Sequence, residues 1–83
     1  MEKHWVYILY SVRRDKYYVG STSDLQDRID RHNSGESRYT KSGIPWKLVY
    51  SMPYASKGEA MSREHQIKKW KSRKLIKKLI FGK

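Results

Sequence analysis

The apolar positions of this 83-residue chain alternate between two spacings, and each change of spacing marks an element. "VYILYS", Val6 to Ser11, is a β-branched and aromatic run with apolar side chains at odd and even positions alike, which predicts a strand covered on both faces. After a polar turn, "VRRDK", the stretch "YYVGS" predicts a second strand ending at Gly20, and the short gap makes the two a hairpin. "STSD" offers N-cap side chains, and "LQDRIDRHNSG" predicts a helix halted at Asn33-Ser34-Gly35. "ESRYTKSGIP" reads as a loop, and "WKLVYSMP" as a third strand bounded by Pro45 and Pro53. A long helix is expected from Ser56 or Lys57 to about Lys71, marked by Ala60, Met61 and Ile67. A last helix is capped by Ser72, with Leu75, Ile76, Leu79 and Ile80 at helical spacing. The order β-β-α-β-α-α predicts an α/β fold: one small domain over residues 1–83, with a three-stranded, mostly antiparallel sheet and about three helices.

Two helices carry charge where the periodicity asks for apolar groups. With Leu25 at 0° on a helical wheel, Ile29 falls near ~40°, His32 near ~340° and Arg28 near ~300°. Arg28 and His32 therefore flank the stripe that must face the sheet, whereas Gln26, Asp27 and Asp30 lie on the far side. A basic residue can snorkel along such a rim, and a histidine can be a satisfied interface residue, so this placement alone leaves both structural and chemical roles open. On the longer helix Glu64 falls inside the apolar arc, where its carboxylate needs a cation, a hydrogen-bond network or a metal. Lys68 and Lys71 fall near the same arc, so a structural Glu–Lys pair is the plain alternative.

Composition narrows the class of partner. A chain this short buries only about 60% of its unfolded surface, which leaves room for one sheet and few helices. No cysteine is present, so neither disulfides nor a thiolate zinc site staple it, and a reducing, cytoplasmic setting is compatible. No signal peptide and no stretch near the ~20 apolar residues of a membrane span is seen. Nineteen Lys and Arg against eight Asp and Glu give a formal charge of +11, the electrostatic footprint of a polyanion binder. Nucleic acid is the expected polyanion, with an anionic surface or mere solubility as alternatives.

The quoted segments resemble a known family. "WVY" at 5–7 and "YVG" at 18–20, whose tyrosines stand eleven positions apart, look like the GIY and YIG elements of the GIY-YIG nuclease superfamily. Arg28 follows Gly20 by eight positions and His32 lies four further on, as on the helix of that family. Glu64 in "AMSREHQIKKWK" sits where its metal-binding glutamate is found. "YTKSGIPWKLVY" and "REHQIKKWKSRKLIKKLI" resemble small standalone bacterial members, grouped with the N-terminal nuclease domain of the excision-repair nuclease C subunit. The likeness covers nearly the whole chain. Trp5 replaces the first Gly of GIY, and the tail "LIKKLIFGK" has no counterpart to the asparagine of larger members.

The resemblance implies a metal-dependent DNA endonuclease or nicking enzyme, acting in repair or recombination on DNA that is branched or damaged. Two-metal nucleases use several carboxylates, and here only Glu64 lies on an inward helical face, which favours a single Mg²⁺ or Mn²⁺. In this reading Glu64 holds the ion and Arg28 presents its guanidinium to the phosphate. Tyr7 holds or deprotonates the attacking water with Tyr18 beside it, and His32 is an alternative proton relay. The family's in-line attack implies 5′-phosphate and 3′-hydroxyl ends. Arg38, Lys41, Lys68, Lys69, Lys71 and Arg73 are expected backbone contacts for nucleic acid. Tyr10, Tyr17 and Tyr50 are expected to pack in the sheet, and Trp46 and Trp70 in the core or at its rim. Gly20 reads either as a strand terminator or as a point of close approach. The competing readings are a non-catalytic nucleic-acid-binding module of the same fold, and a scaffold whose protein partner supplies target specificity.

Overall fold

A computed structural model describes residues 3–82. Two strands, β1 (His4–Ser11) and β2 (Lys16–Thr22), are followed by α1 (Leu25–Ser34), β3 (Trp46–Tyr54), α2 (Lys57–Trp70) and α3 (Arg73–Phe81), the order expected from the sequence. The sheet is antiparallel throughout, in the order β2-β1-β3, so the most apolar strand is the central one. β2 does not end at Gly20, because Gly20, Ser21 and Thr22 still pair with Tyr7, Val6 and Trp5. β3 runs through Pro53, which pairs with Trp5; an edge strand tolerates the missing donor. A short 3₁₀ turn, Lys41–Gly43, interrupts the segment expected to be loop. Among the described residues no helix is long and apolar enough to cross a membrane.

Strand alternation divides the core in two. Val6 and Ile8 point to one face and pack with Val19, Ala60 and Ile67, with Trp70, Ile76, Leu79 and Ile80 completing the layer. Tyr7 and Leu9 point to the other face and pack with Trp46, Leu25 and Ile29. Thus α1 covers one side of the sheet and α2 with α3 the other. A bulge follows Leu48, where Leu9 pairs with Leu48 but Ile8 pairs with Tyr50; both Val49 and Tyr50 then join the α2 side. The three α-helices begin at side-chain caps: Asp24, Ser56 and Ser72 each accept from the backbone N–H three residues on, at 3.0, 3.2 and 3.3 Å. The two apolar stripes sit slightly off their expected centres. Met61 and Leu75 are 40% and 42% exposed, so the buried line of α2 runs through Ala60 and Ile67 and leaves Glu64 at its margin.

Candidate active site

Tyr7 occupies the middle of the central strand and is 1% exposed. Its ring does not stand over its own strand. It lies across Gly20, its antiparallel partner on β2, so closely that a Cβ there would fall 2.5 Å from the Tyr7 hydroxyl. The absence of a side chain at Gly20 is therefore what lets the hydroxyl reach toward the free edge of the sheet. Burial, and then Tyr18 and the Glu64 carboxylate, push the Tyr7 hydroxyl well above the ordinary tyrosine value, while Arg28 pulls against them. At neutral pH Tyr7 is protonated.

Behind that hydroxyl sits His32, 2% exposed on the inner face of α1. Its Nε2 lies 3.1 Å from the Tyr7 hydroxyl and its Nδ1 2.9 Å from the Thr40 hydroxyl. Burial, and secondarily the Arg28 guanidinium, hold His32 below its ordinary value, so the ring is neutral at pH 7. Of its two nitrogens one then donates and the other accepts, and both partners are hydroxyls that serve either tautomer. Tyr18 closes the group with its ring centroid 4.8 Å from His32 and 6.4 Å from Tyr7. Arg28 is exposed one turn before His32 and makes no ion pair among the described residues, so its guanidinium is available to a phosphate.

Glu64 arrives from the opposite face. Ser21, which alternates to the α2 side of β2, donates to Glu64 Oε1 at 2.6 Å, and Lys68 Nζ stands 2.6 Å from Oε2. Burial raises the Glu64 carboxyl, but the hydrogen bonds from Lys68 and Ser21 outweigh it, and the group is held below the usual glutamate value. Tyr7 thus reaches the β2 edge at Gly20 from the α1 side, and Glu64 is held to the neighbouring Ser21 from the α2 side. Among the described residues no cluster of three or more His, Cys, Asp or Glu is assembled for a metal. One ionised carboxylate oriented by a serine fits a hard cation that keeps most of its waters and takes phosphate oxygens, and does not fit a closed protein cage.

The expected nucleic-acid contacts fall into separate places. Arg38 and Lys41 are exposed on the segment after α1. Lys68, Lys71 and Arg73 line a groove of about 420 Å³ between the β2 edge and the α2–α3 joint, with Lys16 and Tyr18 opposite. Arg73 is engaged there: it donates to the Asp15 carbonyl at 2.8 Å, pairs with the Asp15 carboxylate and lies over the Tyr17 ring. Lys69 is exposed but does not line the groove. Tyr17 and Tyr50 pack against the α2-side core, Trp46 is core, and Trp70 is a rim aromatic beneath Arg63. Sequence reasoning passed over Ser21 and Thr40, which fix Glu64 and His32. The burial that marks Thr40 in its polar loop belongs to the fold and not to the sequence. Ser21 needed the knowledge that β2 continues past Gly20.

Comparison with known proteins identifies the family. The profile of the GIY-YIG catalytic domain matches residues 3–78. A UPF0213 protein of Staphylococcus saprophyticus is 36% identical over 83 residues, covering 99% of this chain and 100% of its own. Another, from Streptococcus pneumoniae, is 43% identical over 70 residues, 83% of this chain and 70% of its own. The solution NMR structure of a UPF0213 protein from Bacillus halodurans superposes with a TM-score of 0.61 at 36% identity, covering 98% of this chain and 85% of that one. This chain therefore belongs to the GIY-YIG nuclease family.

Proposed function

We propose that the chain is a metal-dependent DNA endonuclease or nicking enzyme that hydrolyses phosphodiester bonds with a single Mg²⁺ or Mn²⁺. The observation that carries this reading is the Tyr7–His32 contact, a buried, protonated phenol 3.1 Å from a neutral imidazole and within the field of Arg28 and Glu64. A tyrosine held above its ordinary value is a poor base alone, but it serves as a relay. The Tyr7 oxygen accepts a proton from the attacking water as its own proton passes to His32 Nε2. For that step Nδ1 carries the hydrogen and donates it to Thr40, which stabilises the imidazolium as it forms. Arg28 binds the phosphate oxygens and the charge that grows on them. Tyr18 walls the site and orients the His32 ring. Glu64 is the residue that would hold the cation, whose contribution is to neutralise the phosphate and stabilise the departing 3′ oxygen. The products are a 5′-phosphate and a 3′-hydroxyl. DNA of branched or damaged structure, in repair or recombination within the cytoplasm, is the substrate class we favour, with a protein partner supplying target specificity.

The test is nicking of supercoiled plasmid and cleavage of a branched DNA with Mg²⁺, with Mn²⁺ and with chelator, beside Glu64→Gln prepared identically. Metal-dependent cleavage by the wild type, reduced about 100-fold or more in the variant, is expected; one lost metal-phosphate interaction is worth several kcal/mol. Equal cleavage by both proteins would overturn the assignment of Glu64. The Lys68–Glu64 ion pair favours a second reading, a nucleic-acid-binding module whose glutamate is internally satisfied. Tight DNA binding with no cleavage in any metal would establish that one instead.

A further inference from the structure

Of the seven tyrosines, six lie in the sheet and are buried or half-buried; Tyr39 stands apart, 92% exposed on the segment between α1 and β3. A lone exposed aromatic is unremarkable on a floppy loop. This one is mounted on a fixed base. The Ser37 carbonyl accepts from the N–H groups of Thr40 and Lys41 at 3.3 and 3.0 Å, and the Thr40 carbonyl accepts from the Trp46 indole at 2.6 Å. Thr40 itself is 1% exposed, with its hydroxyl against His32. The ring is thus presented to solvent one residue away from an anchor that touches the His32–Tyr7 pair. It stacks on no other described aromatic, and the residues on either side of the Tyr39–Thr40 pair, Arg38 and Lys41, are exposed cations.

We infer that Tyr39 is a stacking platform for an unpaired nucleobase of the strand being cut. This deepens the nuclease reading by naming the part of the substrate that the site selects. Two cations beside an exposed ring match a nucleotide, whose phosphates are anionic and whose base offers a flat π-face. In duplex DNA that face is covered by its neighbours, so only a single-stranded, gapped or forked segment can present it. Because Thr40 is tied to His32, the platform is carried by the same loop that supports the proposed site. Arg38 and Lys41 hold the flanking backbone without reading sequence.

The experiment measures DNA binding in chelator, so that no cleavage is read, using a fluorescent-base single strand, a forked DNA and a blunt duplex with wild type, Tyr39→Leu and Tyr39→Trp. Base–aromatic stacking is lost in the leucine variant, so its affinity for the single strand and the fork is expected to fall about 5- to 100-fold. Duplex affinity should stay within about twofold, because the phosphate contacts are untouched. Tyr39→Trp should bind as well as wild type and quench the fluorescent base, because an indole also stacks. Unchanged binding by Tyr39→Leu would overturn the proposal, as would an equal loss on all three DNAs or a tryptophan variant as weak as leucine. A lowered melting temperature in Tyr39→Leu would make the ring a structural group and overturn it as well. A wild type that binds but does not cleave leaves this result standing, and a null result here leaves the cleavage test standing, so the two readings fail separately.

Discussion

In the proposed mechanism Tyr7 and His32 act as one unit, in which neither side chain is suited to the chemistry alone. The phenol is too weak an acid to be an anion at pH 7, and the imidazole is too deep to meet solvent directly. Their contact makes the histidine the group that sets the pH response. Folded His32 binds its proton below the ordinary 6.5, so between that folded value and 6.5 the unfolded chain carries more protons. Stability then falls as pH is lowered from about 7.5 through 6.5, and the His32 contribution levels off below the folded value. Urea unfolding across this range is expected to show that slope in the wild type and to show it reduced in His32→Gln. Cleavage should follow the same group, with an acid limb below 6.5 in the wild type, while His32→Gln, which has no acceptor for the Tyr7 proton, should cleave at least about 100-fold more slowly. The positions of these residues were readable in advance, because period-two alternation puts Tyr7 and Leu9 on one face and helical spacing puts His32 beneath them. Gly20 was less readable. Its role depends on a ring arriving from a neighbouring strand, which no local pattern encodes.

Elements were legible to the extent that their ends carry their own chemistry. The caps at Ser56 and Ser72 and the left-handed stop at Gly35 are local, and the helices begin and end where those residues stand. The bulge after Leu48, the passage of β3 beyond Pro53 and the exposure of Met61 and Leu75 are set by register and by which neighbour each face meets. The joint between α2 and α3 illustrates the difference. Lys71 ends α2 in the left-handed region, at φ 47, where glycine is the usual residue and an L side chain is strained. The same lysine lines the groove beside the β2 edge. Lys71→Gly is expected to stabilise the fold by about 0.5–1 kcal/mol by relieving that strain. At this chain length such a gain raises the melting temperature by a few degrees, on the order of 4–8 °C per kcal/mol. The same variant should bind DNA several-fold more weakly at low salt, because a groove cation is gone. A thermal melt and a binding titration on one preparation check both signs.

Across the whole molecule, the excess of positive charge is not uniform in its availability. Arg73 is tied to Asp15, Lys68 is paired with Glu64 and Lys69 lies off the groove, which leaves Arg28, Arg38, Lys41 and Lys71 as the candidate phosphate contacts around the site. Four such contacts predict that log affinity for duplex DNA falls against log salt with a slope of about −3.6. A slope near zero in a salt series would remove the electrostatic basis for polyanion binding. The +11 charge announced the partner class from composition alone, but not this division between free and engaged cations, which rests in part on a contact between residues 15 and 73. The sheet edge, finally, has a bearing on when the proposed nuclease becomes competent to cut. The two halves of the proposed reaction centre are delivered by different layers, β1 and α1 on one side and α2 on the other. Until residues 57–70 dock on the sheet, Glu64 is not held at Ser21 and the proposed cation ligand is missing from the centre. On the proposed mechanism cutting therefore requires both layers in place, and activity becomes a property of the complete fold that neither layer possesses alone.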